Sequence, residues 1–417
     1  MTKLDDIARQ LVQQAPAQLD LTNPIHEDLT GQAADSLLAC SSDPTMLAEL
    51  ENTLVARKDE VPLLVHLAAK LAVSRSALLA WTRPAHVSVV FAVYKEHQRI
   101  RPASEVAGGE DFLVRKIHQL DWLTAGREDL TWDMIVVDDG CPAGSGAIAA
   151  DIIEREGRQR QVRVLNLAEA IAAGHPAAGD LTTPDDSRKG GSIQLGLWEA
   201  CRQERENHVA VFTDADLSTH LGQTGLLMDA ILAGGCEVAI GSRRQPESVV
   251  IKQGARNDRG KLFIYLWKRI IDSLPDVIDT QCGFKGFAAA TLREILPGML
   301  EKKFAFDIEL LIKSRQLRPD GLAQRGIAWI DSDALSTTTD LQPYLPMLKA
   351  MVLMYRQYLM ANTAADQYAT FIDQLDEAGW AVLQENIPTE ITKREPAEFS
   401  GFAGVSAEDL ARAARSM

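Results

Sequence analysis

Asp214 and Asp216 stand one residue apart at the end of an apolar run, His208-Val-Ala-Val-Phe-Thr213. Two carboxylates so placed can approach one divalent cation that bridges to phosphate oxygens. An isolated pair after a strand more often caps a helix or closes a turn, so its meaning depends on what stands nearby. Five other stretches carry suitable chemistry. Asp138-Asp139-Gly140 ends a second apolar run. Lys189-Gly190-Gly191 offers a cation and open backbone N–H groups ahead of a helical pattern, which suits phosphate, although a solvated loop reads equally well. Arg243, Arg244, Arg256 and Arg259 concentrate planar cations in a chain of formal net charge −15. For Arg244 a surface ion pair with Glu247 or Asp258 is the expectation. Asp279-Thr-Gln-Cys-Gly-Phe-Lys285 places an acid, a glycine and a lysine in one string, and Asp307 and Glu309 open a later helix.

These residues need a scaffold, and the pattern predicts one. From residue 84 strand-like runs at 87–93, 133–138, 161–165, 208–213 and 236–241 alternate with helical segments near 110–124, after Gly146, at 191–205 and at 222–233. That alternation predicts an α/β domain with a mostly parallel sheet, and in such sheets ligands collect at the carboxyl ends of the strands. Tyr94, Asp138, Asp139, Asp214 and Asp216 all fall there. Expected domain bounds are a helical region 1–82, an α/β domain 83–340 and a helical region with a loose tail 341–417. The first region reads as an appendage packed on the main domain or on a partner, 172–188 as a long surface loop, and 344–360 as a Met-rich apolar stripe serving as core, dimer seam or lipid face.

Composition bounds the function more weakly. The hydrophobic share of 46% and charged share of 24% are those of a globular protein, and the negative balance disfavours nonspecific nucleic-acid binding. Five separated cysteines without C-x-x-C pairs predict reduced thiols and a cytoplasmic setting. No stretch reads as a membrane span, which leaves peripheral lipid contact as the only expected membrane association.

Taken in order, these motifs resemble those of the GT-A family 2 glycosyltransferases, most of all the dolichyl- and polyprenyl-phosphate sugar transferases, over roughly residues 84–335. The resemblance implies a GT-A fold: a Rossmann-like, mostly parallel sheet flanked by helices, here with helical additions at both ends. It implies that Ala92, Tyr94 and Glu96 in VSVVFAVYKE, with Asp139, Lys189, Gly190 and Asp214, bind a UDP- or GDP-hexose. Asp214 and Asp216 match the family's D-x-D and would hold Mg²⁺ or Mn²⁺. Arg243, Arg256, Arg259 and Lys285 would face the diphosphate or the acceptor. Asp279, favoured, or Asp307 would be the base for a hydroxyl acceptor. The family commonly has asparagine at the place of Lys95, and it tends to have Gly-Ser-Lys where this chain has Ala334-Leu-Ser-Thr-Thr338. A sugar-phosphate nucleotidyltransferase and a non-catalytic nucleotide-sugar-binding module are the competing readings.

Overall fold

A computed structural model describes residues 3–251, 257–330 and 343–415. Its strands are β1 (Ala85–Val93), β2 (Leu130–Asp138), β3 (Val162–Asn166), β4 (His208–Thr213), β5 (Val238–Ser242), β6 (Val249–Ile251), β7 (Phe284–Ala288), β8 (Leu322–Gly326) and β9 (Ala328–Ile330). Seven form one sheet in the order β3-β2-β1-β4-β7-β5-β8, and β6 pairs with β9 in a parallel ribbon. All pairs in the large sheet are parallel except those of β7, which runs antiparallel to both β4 and β5. Because β7 is reversed, the residues before it, 279–283, reach the edge where the neighbouring strands end. The sequence pattern located the five expected strands to within three residues at either end.

Alternation along the strands sorts side chains to two faces, as the pleat requires. Val87, Val89, Phe91, Met134, Val136, Val209 and Val211 enter one core, while Val90, Ile135, Val137, Ala210 and Phe212 enter the other. The first core is completed by the helices Lys3–Gln14, Pro24–Cys40, Pro44–Val55 and Leu63–Ala80, with Phe112–Thr124. Asn23 and Asp43 cap two of these helices, and Pro24 and Pro44 stand at their first turns, where a missing N–H costs nothing. Residues 3–82 are therefore a helical region packed on the α/β domain, one of the two placements expected of it. Lys70, fully buried on Leu63–Ala80, pairs with Glu51 and donates to the Gly326 carbonyl (3.0 Å). Ser74 donates to the Gly222 carbonyl (2.6 Å). Leu63–Ala80 is long and apolar enough to cross a membrane by length and composition, contrary to expectation, but 72% of it is buried inside the molecule.

The second core holds the helices Gly190–Ala200, Asn257–Ile270, Phe306–Leu317 and Tyr344–Tyr358, together with the C-terminal helices. Leu345, Met347, Leu348, Met351, Val352, Met354 and Tyr355 are all buried there, so these residues of the Met-rich stripe are core of their own chain. Only Met360 and Leu353 of that region are strongly exposed apolar side chains. The tail is likewise built in, with Ile391, Phe399, Val405 and Leu410 buried. Residues 172–188 are better ordered than a surface loop. Ala177 and Ala178 are buried in a short 3₁₀ turn, and Pro184 packs so closely on Gly140 that a Cβ there would come 2.4 Å from it.

Candidate active site

The carboxyl edges of β1, β2, β4 and β5, with the segment entering β7, bring acidic and basic side chains together. At the end of β2 the two aspartates divide their work. Asp138 accepts from the N–H groups of Cys141 (2.7 Å) and Gly146 (2.8 Å), which fixes the turn into the helix Ser145–Arg155. Asp139 accepts from the Lys189 N–H (3.0 Å) and the Ser192 hydroxyl (2.7 Å), so it joins β2 to the glycine loop. Burial raises its pKa against those bonds. In the turn after β1, Lys95 takes a positive φ of 60°, a conformation that asparagine tolerates better. Its N–H donates to Cys141 Sγ (3.1 Å), and the Glu96 N–H donates to Ser145 Oγ (3.0 Å).

Asp214 and Asp216 follow β4 and are both partly exposed. The Lys189 ammonium pairs with Asp214. Burial pushes the Asp214 carboxyl upward, but Lys189, aided by Arg243 and Lys116, overcomes it and holds the carboxyl below the usual range. The Asp214 N–H donates to the Gly283 carbonyl (3.1 Å), and a Cβ on Gly283 would stand 2.3 Å from Asp214 Oδ2. That close approach is why glycine interrupts the string before β7. Gly190 is excluded from any side chain by the Lys303 carbonyl, which a Cβ would meet at 2.4 Å. Asp216 accepts from the Ser218 N–H (3.0 Å) and faces the Arg99 guanidinium at 3.9 Å.

Behind this pair lies a charged layer that sequence reading caught only at Glu96. Arg99 bonds Glu110 (2.9 Å) and Glu96 (3.3 Å). Burial, reinforced by Asp216, Glu110 and Asp214 and opposed by Arg99, raises the Glu96 pKa to about 7. Lys116 is fully buried with no hydrogen-bond partner for its ammonium, and burial lowers its pKa to about 8 against the pull of Asp216 and Asp214. The signal for it was a lysine inside the apolar stripe Phe112, Leu113, Ile117, Leu120, at core spacing.

The expected acceptor-side residues separate into distinct fates. Asp279 is buried and receives three hydrogen bonds from Arg243: backbone N–H and Nε to Oδ2 (both 2.8 Å) and Nη2 to Oδ1 (2.7 Å). Burial raises its pKa, but Arg243 overrides this and holds it far below the carboxylate range, so Asp279 does not fit the base role expected of it. Asp307 accepts from Lys285 Nζ (3.1 Å) and Gln281 Nε2 (3.1 Å), and burial raises its pKa despite Lys285 and Lys189. Lys285 does not reach toward a phosphate. It is fully buried, donating to the Cys282 carbonyl (2.5 Å) and to Asp307. Arg259 is also diverted, in an exposed pair with Glu385 (2.9 Å). Glu309 is structural: it accepts from the Leu300 and Glu301 N–H groups (both 2.7 Å) and from the Tyr358 hydroxyl (2.6 Å). Arg256, Asp331 and the segment 334–338 lie outside the described residues.

Among the described residues no group of three or more His, Cys, Asp or Glu side chains comes together to hold a metal. Asp214 and Asp216, exposed at a strand end and with Asp214 seated against Gly283, still fit a cation whose remaining ligands come from a bound diphosphate. Ala92 and Tyr94 border the same edge, partly exposed.

The sheet with its reversed strand and the acidic pair at its edge are those of a glycosyltransferase, similar to the GT-A, family 2 type. The chain's relatives say which branch it is similar to. It is 26% identical over 282 residues to the dolichyl-phosphate beta-glucosyltransferase of Drosophila melanogaster, spanning 66% of this chain and 76% of that protein. The Homo sapiens protein of the same name is 24% identical over 295 residues, spanning 69% and 80%. No family model matches the chain. Glucosyl-3-phosphoglycerate synthase from Mycobacterium tuberculosis superposes on 74% of this chain and 86% of its own at 17% identity with a TM-score of 0.43, too loose a likeness to bear on the site.

Proposed function

We propose that the protein transfers a hexose from a UDP- or GDP-linked donor to an acceptor hydroxyl or phosphate, by a single inverting displacement that needs Mg²⁺ or Mn²⁺. The observation that carries this reading is the convergence of Asp139, Lys189, Asp214 and Asp216 on one sheet edge. A nucleotidyltransferase would need a glycine-rich basic loop directly after β1, and Tyr94-Lys95-Glu96 is not one.

Asp139 sits where a nucleotide base would be oriented, and Lys189 would leave Asp214 for the diphosphate. A cation held by Asp214 and Asp216 supplies charge neutralisation for the departing diphosphate. The acceptor oxygen attacks the anomeric carbon from the face opposite the nucleotide. The bond from that carbon to the diphosphate oxygen breaks, and its electron pair leaves on the diphosphate. A hydroxyl acceptor also gives up a proton, and Asp307, with its raised pKa and its place within reach of Lys189, is the carboxylate suited to take it. A phosphate acceptor is already nucleophilic and needs no base. The five free thiols support a reducing, cytoplasmic setting.

The test is titration of UDP- and GDP-sugars against the wild-type chain and Asp216→Ala, with and without Mn²⁺. Metal-dependent donor binding that the substitution abolishes is the expected result. Equal binding by both proteins sinks the assignment.

A further inference from the structure

Arg244 stands beside Arg243 but, unlike it, has no carboxylate. Its backbone N–H donates to Ser242 Oγ (3.1 Å). Glu247, the partner expected from sequence, instead accepts from the Gly326 N–H (3.0 Å). Among the described residues the Arg244 guanidinium makes no ion pair. Burial lowers its pKa, with Asp279 the main opposing influence. A desolvated, unpaired cation destabilises the fold unless an anion comes to it.

Arg244 opens onto a cavity of about 870 Å³ bounded by residues 58–66, 243–250 and 395–397. Arg243 also lines it, and Arg243 lies within electrostatic reach of Asp214, so the cavity adjoins the donor end of the site. On the N-terminal wall His66 is 2% exposed; the Lys58 main chain is near the ring, but neither ring nitrogen completes a hydrogen bond of good geometry. Burial lowers its pKa, against the pull of the nearby Lys58 main chain, so the ring is neutral with one donor and one acceptor nitrogen. Of the three acids on the rim, Glu60 is matched by Arg57 (2.7 Å) and Glu395 by Lys261 (3.2 Å), and Asp59 stands next to Lys58 in sequence.

We propose that this cavity is the acceptor site and that it takes a compact hydroxyl compound bearing a phosphate or carboxylate, the anion held by Arg244 and a hydroxyl by His66. The proposal rests on the glycosyltransferase reading. It departs from the lipid-phosphate acceptors that the relatives' names imply, for two reasons. The volume is that of a small-molecule pocket. The wall containing His66 belongs to the N-terminal helices, outside the stretch that resembles the family.

The test titrates the full chain, without donor, against glycerol phosphate, glycerate, uncharged glycerol and polyprenyl phosphate in micelles, and then titrates UDP-glucose with Mn²⁺ on the same samples. Glycerol phosphate or glycerate binds the wild type and glycerol does not. Arg244→Gln weakens the anion about 10-fold or more, Arg244→Lys recovers part of it, and His66→Phe weakens it further. Arg244→Gln melts at or above the wild-type temperature, because it removes an unpaired, partly buried charge. Failure of both anions to bind, equal binding by Arg244→Gln, or binding of polyprenyl phosphate alone overturns the proposal, even where UDP-glucose binds. Anion binding without any nucleotide-sugar binding keeps the anion site but overturns its acceptor role, along with the transferase reading.

Discussion

Asp279 and Asp307 illustrate how two carboxylates in neighbouring motifs acquire opposite chemistry from their surroundings. Asp279→Asn leaves the Arg243 guanidinium without its charge partner in a buried pair, and the expected cost is about 3–5 kcal/mol of folding stability. Urea unfolding measures it. The pH dependence has a definite sign. The Asp279 pKa in the folded protein lies below its unfolded value of about 4, so this stabilisation is complete above roughly pH 5 and is lost as pH falls through the folded pKa. Asp307→Asn likewise leaves the fully buried Lys285 ammonium without its charge partner, so it should cost stability as well, and it should slow transfer to a hydroxyl acceptor by about 10²–10⁴, as single-turnover kinetics would show. Glu96 gives a third reading. Its pKa of about 7 means that it is half protonated at neutral pH, and a cation at Asp214 and Asp216 favours the ionised form. Mn²⁺ affinity therefore rises with pH across neutrality, and Glu96→Gln flattens that rise in titrations between pH 6 and 8. The residue types were legible in sequence but their partners were not. Arg243 is 36 residues from Asp279, and only folding reveals that it is committed to that carboxylate. Lys285 looked like a phosphate ligand because its string resembles the family's, yet full burial makes it a support for Asp307.

At the scale of elements, one reversed strand decides which motif reaches the site. Along parallel strands the useful residues come after the strand, whereas β7 delivers those before it, and it does so against Asp214. Gly283→Ala is expected to move the Asp214 carboxylate, because the new Cβ would stand 2.3 Å from it. Mn²⁺ affinity should fall sharply while thermal stability falls by less than for Asp279→Asn, a contrast that titration and melting together resolve. Strand positions were readable because β-branched runs end at acidic turns. The direction of β7 was not, since its pattern is the same either way along the chain. The helix Gly190–Ala200 ends five residues before its expected limit at 205, where a polar run gives no apolar stripe to bury. The 344–360 stripe was legible as apolar. What covers it was not, because its partners, Asn257–Ile270 and Thr363–Gln374, lie on either side of it in sequence.

For the whole molecule, the two faces of the sheet are finished by opposite ends of the chain. Residues before 83 close one core and residues after 343 help close the other. A chain beginning at residue 83 would uncover the sides of Thr224–Leu232 and Phe112–Thr124 on which Leu63–Ala80 packs, so it is expected to be insoluble or to unfold without a cooperative transition, whereas the full chain shows one in differential scanning calorimetry. That outcome would separate this protein from one whose catalytic domain is self-sufficient. The arrangement also sets a timetable during synthesis. The helices at the start leave the ribosome before the α/β domain they pack on exists, and Asn257–Ile270 and Phe306–Leu317, which lie in the second core, then wait for Tyr344–Tyr358 and the helices after it. A nascent chain in that interval exposes the apolar sides of those two helices. Slowing translation near the end of the message should lower the soluble yield more than slowing it at the start, which makes the C-terminal helices the step on which successful production of the protein turns.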